Sequence, residues 1–146
     1  MIKMISENFL GGWDMHSYIS SLDLQGPQGK LNNVFYPTPG DSPKPLLIFA
    51  HGFPGHEKNF TLAQDLRDHG FHVLIFFFSG CWGSAGNFSF KNSIDDLDAV
   101  LDFLLAHPQG KAAEGKLWTL DPENLYILVS RMSVLLPQPE APTSAT

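Results

Sequence analysis

The sequence predicts an α/β protein with a mostly parallel sheet, an antiparallel N-terminal hairpin and flanking helices. Three observations predict it. Continuous apolar runs at Leu46–Ala50, Phe71–Phe78 and Leu125–Val129 read as strands buried on both faces. Two stretches between them, around Phe60–Leu66 and Ser93–Ala106, carry apolar residues at helical spacing. The resulting order of strand, helix, strand, helix, strand is that of a parallel α/β sheet.

Taken in order, Trp13 to Leu24 alternates loosely, a weak strand signal. Gln25-Gly26-Pro27-Gln28-Gly29 is a turn, and Leu31–Tyr36 is a second strand, so the pair forms an antiparallel hairpin with a five-residue connection. Pro37–Pro45 holds four prolines and a glycine and is a loop. Leu46–Ala50 then runs into His51-Gly52-Phe53-Pro54-Gly55, where two glycines and a proline force a sharp turn. A helix over Phe60, Leu62, Ala63 and Leu66 ends at Gly70, placed to take the left-handed terminal position. After the strand Phe71–Phe78, the polar, glycine-rich Ser79–Phe90 is a loop. Ser93 begins the clearest helix, with Ile94, Leu97, Val100, Leu101, Leu104 and Leu105 as its stripe. Asp95, Asp96 and Asp98 fall near its first turn, where negative charge complements the helix dipole. Pro108 and Gly110 stop it, Lys111–Thr119 is a connector without periodicity, and Asp121-Pro122-Glu123-Asn124 is a turn.

With 146 residues, 43% of them apolar, the chain is long enough for one domain with a real core. A net charge of −6 with no basic run argues against nucleic acid as a partner. Val73–Phe78 is too short to span a bilayer, and Met1–Asp14 has no apolar segment of the signal-peptide kind, so no membrane partner is expected. Cys81 is the single cysteine and cannot form an internal disulfide, which makes a reducing, cytoplasmic setting the default.

A tight turn such as His51–Gly55, at the C-terminal end of a parallel strand, serves either as a plain strand-to-helix connection or as a ligand loop. His51-Gly52-Phe53-Pro54-Gly55 resembles the His-Gly-x-x-Gly loop of the α/β-hydrolases, and Ser79–Asn87 resembles their Gly- and Ser-rich loop near the active-site mouth. The resemblance covers roughly Leu31 to Val129, in the family's order, and implies a partial α/β-hydrolase fold. It also implies that Phe53 N–H is one donor of an oxyanion hole in a loop shaped by His51, Gly52 and Gly55. Pro54, without an N–H, cannot be that donor. The family hydrolyses ester, peptide or related acyl bonds through a serine nucleophile, so a small acyl substrate or ligand at these loops is the implied partner.

The family pattern breaks after Val129. The nucleophile elbow, Gly-x-Ser-x-Gly, should follow, but Ser130-Arg131-Met132-Ser133-Val134 puts Met132 at the serine position. No histidine or aspartate follows Val129 in this sequence. Leu135 onward is rich in Pro, Ser, Ala and Thr and reads as a disordered tail. Residues 1–129 are therefore expected to be the N-terminal part of an α/β-hydrolase domain, and 130–146 a segment foreign to the family. A truncated or frameshifted reading frame is the plainest cause. It predicts that the coding DNA near codon 130 encodes an elbow in another frame. No catalytic residue is assigned, and the chain is expected to be inactive alone. It would otherwise act as a non-catalytic binding or assembly module, or as one half of a split hydrolase. Sheet pairing that stops at Val129 would leave Leu125–Val129 as an exposed edge prone to self-association.

Two other chemistries match parts of the sequence less well. Ser79-Gly80-Cys81-Trp82-Gly83 matches an elbow with a cysteine nucleophile, but Gly83–Asn87 cannot open a helix, and the motif lies one strand early. Cys81 is read as a thiol of the mouth loop. His51, His56 and Glu57 are too few for a zinc site without a second cluster, so neither metal nor cofactor is expected. His16, His69, His72 and His107 read as isolated surface or element-end residues.

Overall fold

The computed structural model describes residues 19–51, 60–111 and 117–129. Residues 1–18, 52–59, 112–116 and 130–146 lie outside the described residues. The hairpin forms with a tighter tip than expected. Strands β1 (Gln25–Gly26) and β2 (Gly29–Lys30) flank a two-residue connection, Pro27-Gln28. The same register continues through Leu24 and Leu31 to an isolated bridge between Ser20 and Phe35. Between these points the Asn33 side chain substitutes for backbone. Its Oδ1 accepts from Leu22 N–H and its Nδ2 donates to Leu22 O, both at 2.8 Å. The amide thus satisfies two buried backbone groups that would otherwise be stranded.

β3 (Asn33–Tyr36) leaves the hairpin to enter the main sheet. That sheet also holds β4 (Lys44–Ala50), β5 (His72–Phe76), β6 (Gln109–Lys111) and β7 (Leu117–Val129), in the order β3-β5-β4-β7-β6. β4 lies parallel between β5 and β7, and the two outer pairings are antiparallel. Period-two alternation sends Phe35, Leu46, Ile48, Leu74 and Phe76 to one face, together with Leu22, Leu24 and Leu31 of the hairpin. Helix α2 (Phe90–Ala106) covers that face with Val100 and Leu104. Tyr36, Phe49, Val73, Ile75 and Phe77 point the other way, where Ala63 and Leu66 of helix α1 (Phe60–Asp68) meet them. The outcome is a partial α/β-hydrolase fold with a helix on each face of a mostly parallel sheet.

Helix α1 ends as expected. Gly70 (φ 92°) sits beyond its last turn, Gly70 N–H reaches Arg67 O and Phe71 N–H reaches Leu66 O, the pair of bonds that closes a Schellman motif. Helix α2 starts three residues earlier than Ser93, because Ser89 is its N-cap and accepts from Asn92 N–H at 3.0 Å. That shift moves Asp96 out of the first turn and onto the buried side. Ile94 and Leu105, expected in the core stripe, are 62% and 54% exposed. Lys111–Thr119, expected to be a plain connector, belongs in part to the β6–β7 hairpin. The expected turn at Asp121–Asn124 is a bulge inside β7. Leu120 pairs with Lys44, yet the next partner, of Leu46, is Leu125. Glu123 N–H and Asn124 Nδ2 both bond the Asp121 carboxylate across the bulge.

Leu125–Val129 is not buried as its composition implied. Tyr126, Ile127, Leu128 and Val129 are between 41% and 52% exposed. The helices lie over β3, β5 and β4, and from β7 only Trp118, Leu120 and Leu125 join the core. Among the described residues, this half of β7 is paired along β4 alone.

Candidate functional site

The parallel strands end level with one another. Ala50 of β4 stands in register with Phe76 of β5 and with Val129 of β7. These three strand ends therefore lie side by side, at the end where open α/β sheets bind ligands.

His51 is 4% exposed, and its ring lies 5.9 Å from that of Phe77 and 4.9 Å from that of Phe78. Its Nε2 accepts from Phe78 N–H at 3.0 Å. The side chain ties the exit of β4 to the exit of β5, and that nitrogen is committed to an acceptor role. Gly52, Phe53 and Gly55, implied by resemblance to form the oxyanion loop with His51, lie outside the described residues. His56 and Glu57 do too. Among the described residues, no three His, Cys, Asp or Glu side chains converge as metal ligands.

The loop after β5 is built by long-range contacts. Ser79 donates through both its N–H and its Oγ–H to the Asp96 carboxylate on α2, each bond 2.7 Å long. Asp96 is 1% exposed, so this carboxylate is a buried acceptor rather than a charge beside a helix N-terminus. From the hairpin, Gln28 exchanges a reciprocal pair of bonds with the Asn87 backbone, at 3.0 Å each way. Asn32 N–H donates to Ser84 Oγ, Ser84 Oγ donates to Phe77 O, and Asn32 Nδ2 donates to Trp82 O. At Gly80 (φ 79°), a Cβ would come within 2.7 Å of Phe88 N, so any larger residue would push the loop open.

Cys81 lies half-buried in this loop. Burial, and then the Asp96 charge, push its thiol pKa up. A nucleophilic cysteine needs the opposite environment, one that lowers its pKa. The residues after it form turns, and α2 begins only at Phe90. Cys81 is a loop thiol.

The remaining described histidines are engaged elsewhere. His72 is fully buried, with Nδ1 accepting from Thr38 N–H and Nε2 donating to Thr119 O, both at 2.9 Å. Burial holds its pKa down at about 4; the bond to Thr119 opposes that, and the Lys44 ammonium reinforces it. It opens β5, as the sequence implied, but it is a buried core residue with two partners rather than an isolated one. His69 Nδ1 lies 2.7 Å from Asp65 O, and His107 Nδ1 lies 3.1 Å from Phe103 O.

Solved structures agree with this architecture. A lidless α/β serine hydrolase from Xanthomonas campestris is 31% identical, with a TM-score of 0.51 over 62% of this chain and 45% of that one. An α/β serine hydrolase homologue from Coxiella burnetii is 25% identical, with a TM-score of 0.56 over 75% and 50%. The chain has a partial α/β-hydrolase fold. A hyperthermophilic esterase from Pyrobaculum calidifontis, 14% identical, shares the fold with a TM-score of 0.59 over 89% of this chain and 42% of that one. The chain thus spans half or less of the length of these α/β-hydrolases. No protein-family model and no curated protein sequence matches it.

Sequence reasoning found the loop after β5 and the correct sheet but missed Asp96 as the anchor of that loop. The signal was present: Asp96, Val100 and Leu104 recur every four residues, which puts the acid on the same buried side as two core residues. Asn32 and Gln28 carried no such signal, because their partners lie fifty or more residues away.

Proposed function

We propose that this chain supplies the acyl-binding side of a serine hydrolase for ester, peptide or related acyl bonds, and that it turns over no substrate alone. The level exit of β5, β4 and β7 supports the first part. Ala50, Phe76 and Val129 end their strands in register, and this is the end of the sheet at which a hydrolase of this fold presents its nucleophile to the oxyanion donors. In that chemistry a serine oxygen attacks the carbonyl carbon, a histidine takes the serine proton, and backbone N–H groups hold the developing oxyanion. Phe53 N–H is the donor this reading assigns.

The second part rests on what is missing from the sequence and on how the histidines are used. Met132 stands at the nucleophile position, with Ser130 and Val134 where glycines are needed. His51 spends Nε2 on Phe78 N–H, and His72 is buried with both nitrogens bonded. Neither is placed to take a proton from a serine. A fluorophosphonate probe, which reports activated serines, should therefore leave the folded chain unlabelled. Stoichiometric labelling at Ser130 or Ser133 would overturn this reading.

The bare half of β7 favours a second reading, that another polypeptide completes the sheet. Ester hydrolysis that appears only on mixing with a chain carrying an elbow, an acid and a histidine would support it. Continued silence on mixing would leave a non-catalytic binding module.

A further inference from the structure

We propose that the groove between α2 and the exposed half of β7 docks an amphipathic helix of a partner polypeptide, one with lysines or arginines along an edge of its apolar stripe. This rests on the reading that another polypeptide covers this half of β7, and it names the element that does so.

One flank of α2 is the wall of this groove. At about 100° per residue, the helix turns Asp96, Val100 and Leu104 inward and carries Ile94, Leu101 and Leu105 together beside them. Leu101 is half-buried, whereas Ile94 and Leu105 are exposed. Asp96 marks the flank that meets the hairpin, since a Cβ on Gly26 would lie 3.2 Å from its Oδ1. The hairpin leads into β3 at one edge of the sheet, so the opposite, apolar flank of α2 is turned towards β4 and β7. The floor is β7. Ile127 stands in register with Ile48 and Val129 with Ala50, so both lie on the face that α2 covers, yet both are exposed. A helix is about 10 Å thick and packs about 8–10 Å from its neighbour, so a second helix beside α2 touches wall and floor together. A strand added at the β7 edge would leave the wall bare. The rim selects the charge. Past Leu105 around α2 come Asp98 and Asp102, both exposed. They are like charges one turn apart, which destabilises a helix until a cation joins them. Lys91, on the same side, is already paired with Asp95 at 2.8 Å. Two copies packed through this flank would set Asp98 and Asp102 against the same residues. A helix edged with lysine or arginine neutralises them.

The test uses the full chain and a fluorescein-labelled helical peptide of about 18 residues, with leucines at helical spacing and lysines along one edge of the stripe. A counterpart carries glutamates at that edge. Anisotropy titration should show tighter binding of the lysine peptide. Ile94→Ser and Ile127→Ser should each weaken it roughly 5- to 30-fold. Asp98→Asn with Asp102→Asn should weaken it roughly 2- to 10-fold and make binding less sensitive to salt. Leu128→Ser, next along β7 but on its other face, and Leu62→Ser on α1 should leave binding unchanged. All these side chains are exposed, so the far-UV spectrum should stay that of wild type. The proposal is overturned if wild type binds neither peptide or binds both alike. It is equally overturned if Leu128→Ser weakens binding as much as Ile127→Ser, because the peptide would then be pairing with the edge of β7. If no peptide binds and Ile94→Ser abolishes self-association, a second copy fills the groove instead. If no peptide binds but mixing with an elbow-bearing chain still restores hydrolysis, a partner covers β7 and the helix alone fails.

Discussion

Acid should loosen this fold through one imidazole. His72 bonds Thr38 N–H through Nδ1, which requires a lone pair there, and donates from Nε2 to Thr119 O. Only the neutral ring can do both, and protonation would put a buried N–H against the Thr38 N–H. The folded pKa is about 4, below the ordinary 6.5 of an exposed histidine. The sign follows from that direction. Between these values the unfolded chain binds a proton and the folded chain does not, so the His72 contribution is fully present above pH 6.5 and is lost as pH falls towards 4. At 1.36 kcal/mol per unit, the loss approaches about 3 kcal/mol by the lower limit and is about 2 kcal/mol at about pH 5. Urea unfolding at closely spaced pH values measures it. Carboxylates contribute their own slope at the acid end, so His72→Phe serves as the reference. That variant should be less stable near neutrality, by about 1–3 kcal/mol for each stranded backbone group, but should lack the slope between about pH 5 and about pH 6.5. A wild-type slope that is flat there, or that His72→Phe leaves unchanged, would refute the assignment.

Other perturbations report on the loops and the sheet edge. Asp96→Ala removes the acceptor of two buried bonds from Ser79 and should cost about 3 kcal/mol in chemical unfolding, with faster amide exchange at Ser79 and Gly80; Asp96→Asn should cost less. Gly70→Ala meets no neighbouring atom and should cost about 1 kcal/mol from its positive φ alone, whereas Gly80→Ala must also displace Phe88 and should cost clearly more. If the two cost the same, the close approach at Gly80 is not limiting. The exposed Tyr126–Val129 should drive self-association visible in sedimentation velocity, and Ile127→Lys should reduce it without changing the far-UV spectrum. A clean monomer at all concentrations would count against that edge being adhesive.

The parts of the fold that depend on local chemistry were legible in the sequence. The apolar runs marked β4 and β5, Gly70 closed α1, and the glycines after Ser79 announced the loop after β5. What was misread depends on distant partners. The helix start slipped by three residues because Ser93 has the cap's chemistry, while Ser89 has its position and bonds Asn92. Asp121-Pro122-Glu123-Asn124 carries a turn's residues, yet it makes a bulge because β4 holds the strand on both sides of it. Leu125–Val129 has the composition of a buried strand, but burial is decided by what packs on it, and neither helix reaches that far. His72 does start a strand, but its isolation was misread, because only the fold brings Thr38 and Thr119 to its two nitrogens. The oxyanion assignment at Phe53 came from resemblance, and the residue lies outside the described structure.

The latch between the hairpin and the second loop bears on how this molecule folds and changes over evolutionary time. Gln28 and Asn87 are fifty-nine residues apart in the chain, and Asn32 reaches Trp82 across fifty. Contacts of such separation form late, because the entropy of closing the intervening chain is lost before they return anything. The mouth should therefore be among the last parts to acquire its shape, after β4 and β5 have already paired. Inheritance is constrained in the same way. A substitution at Gln28 or Asn32, in a segment that contributes nothing to catalysis in this reading, changes the loop carrying Trp82. Grafting that loop onto another scaffold would require the hairpin to travel with it.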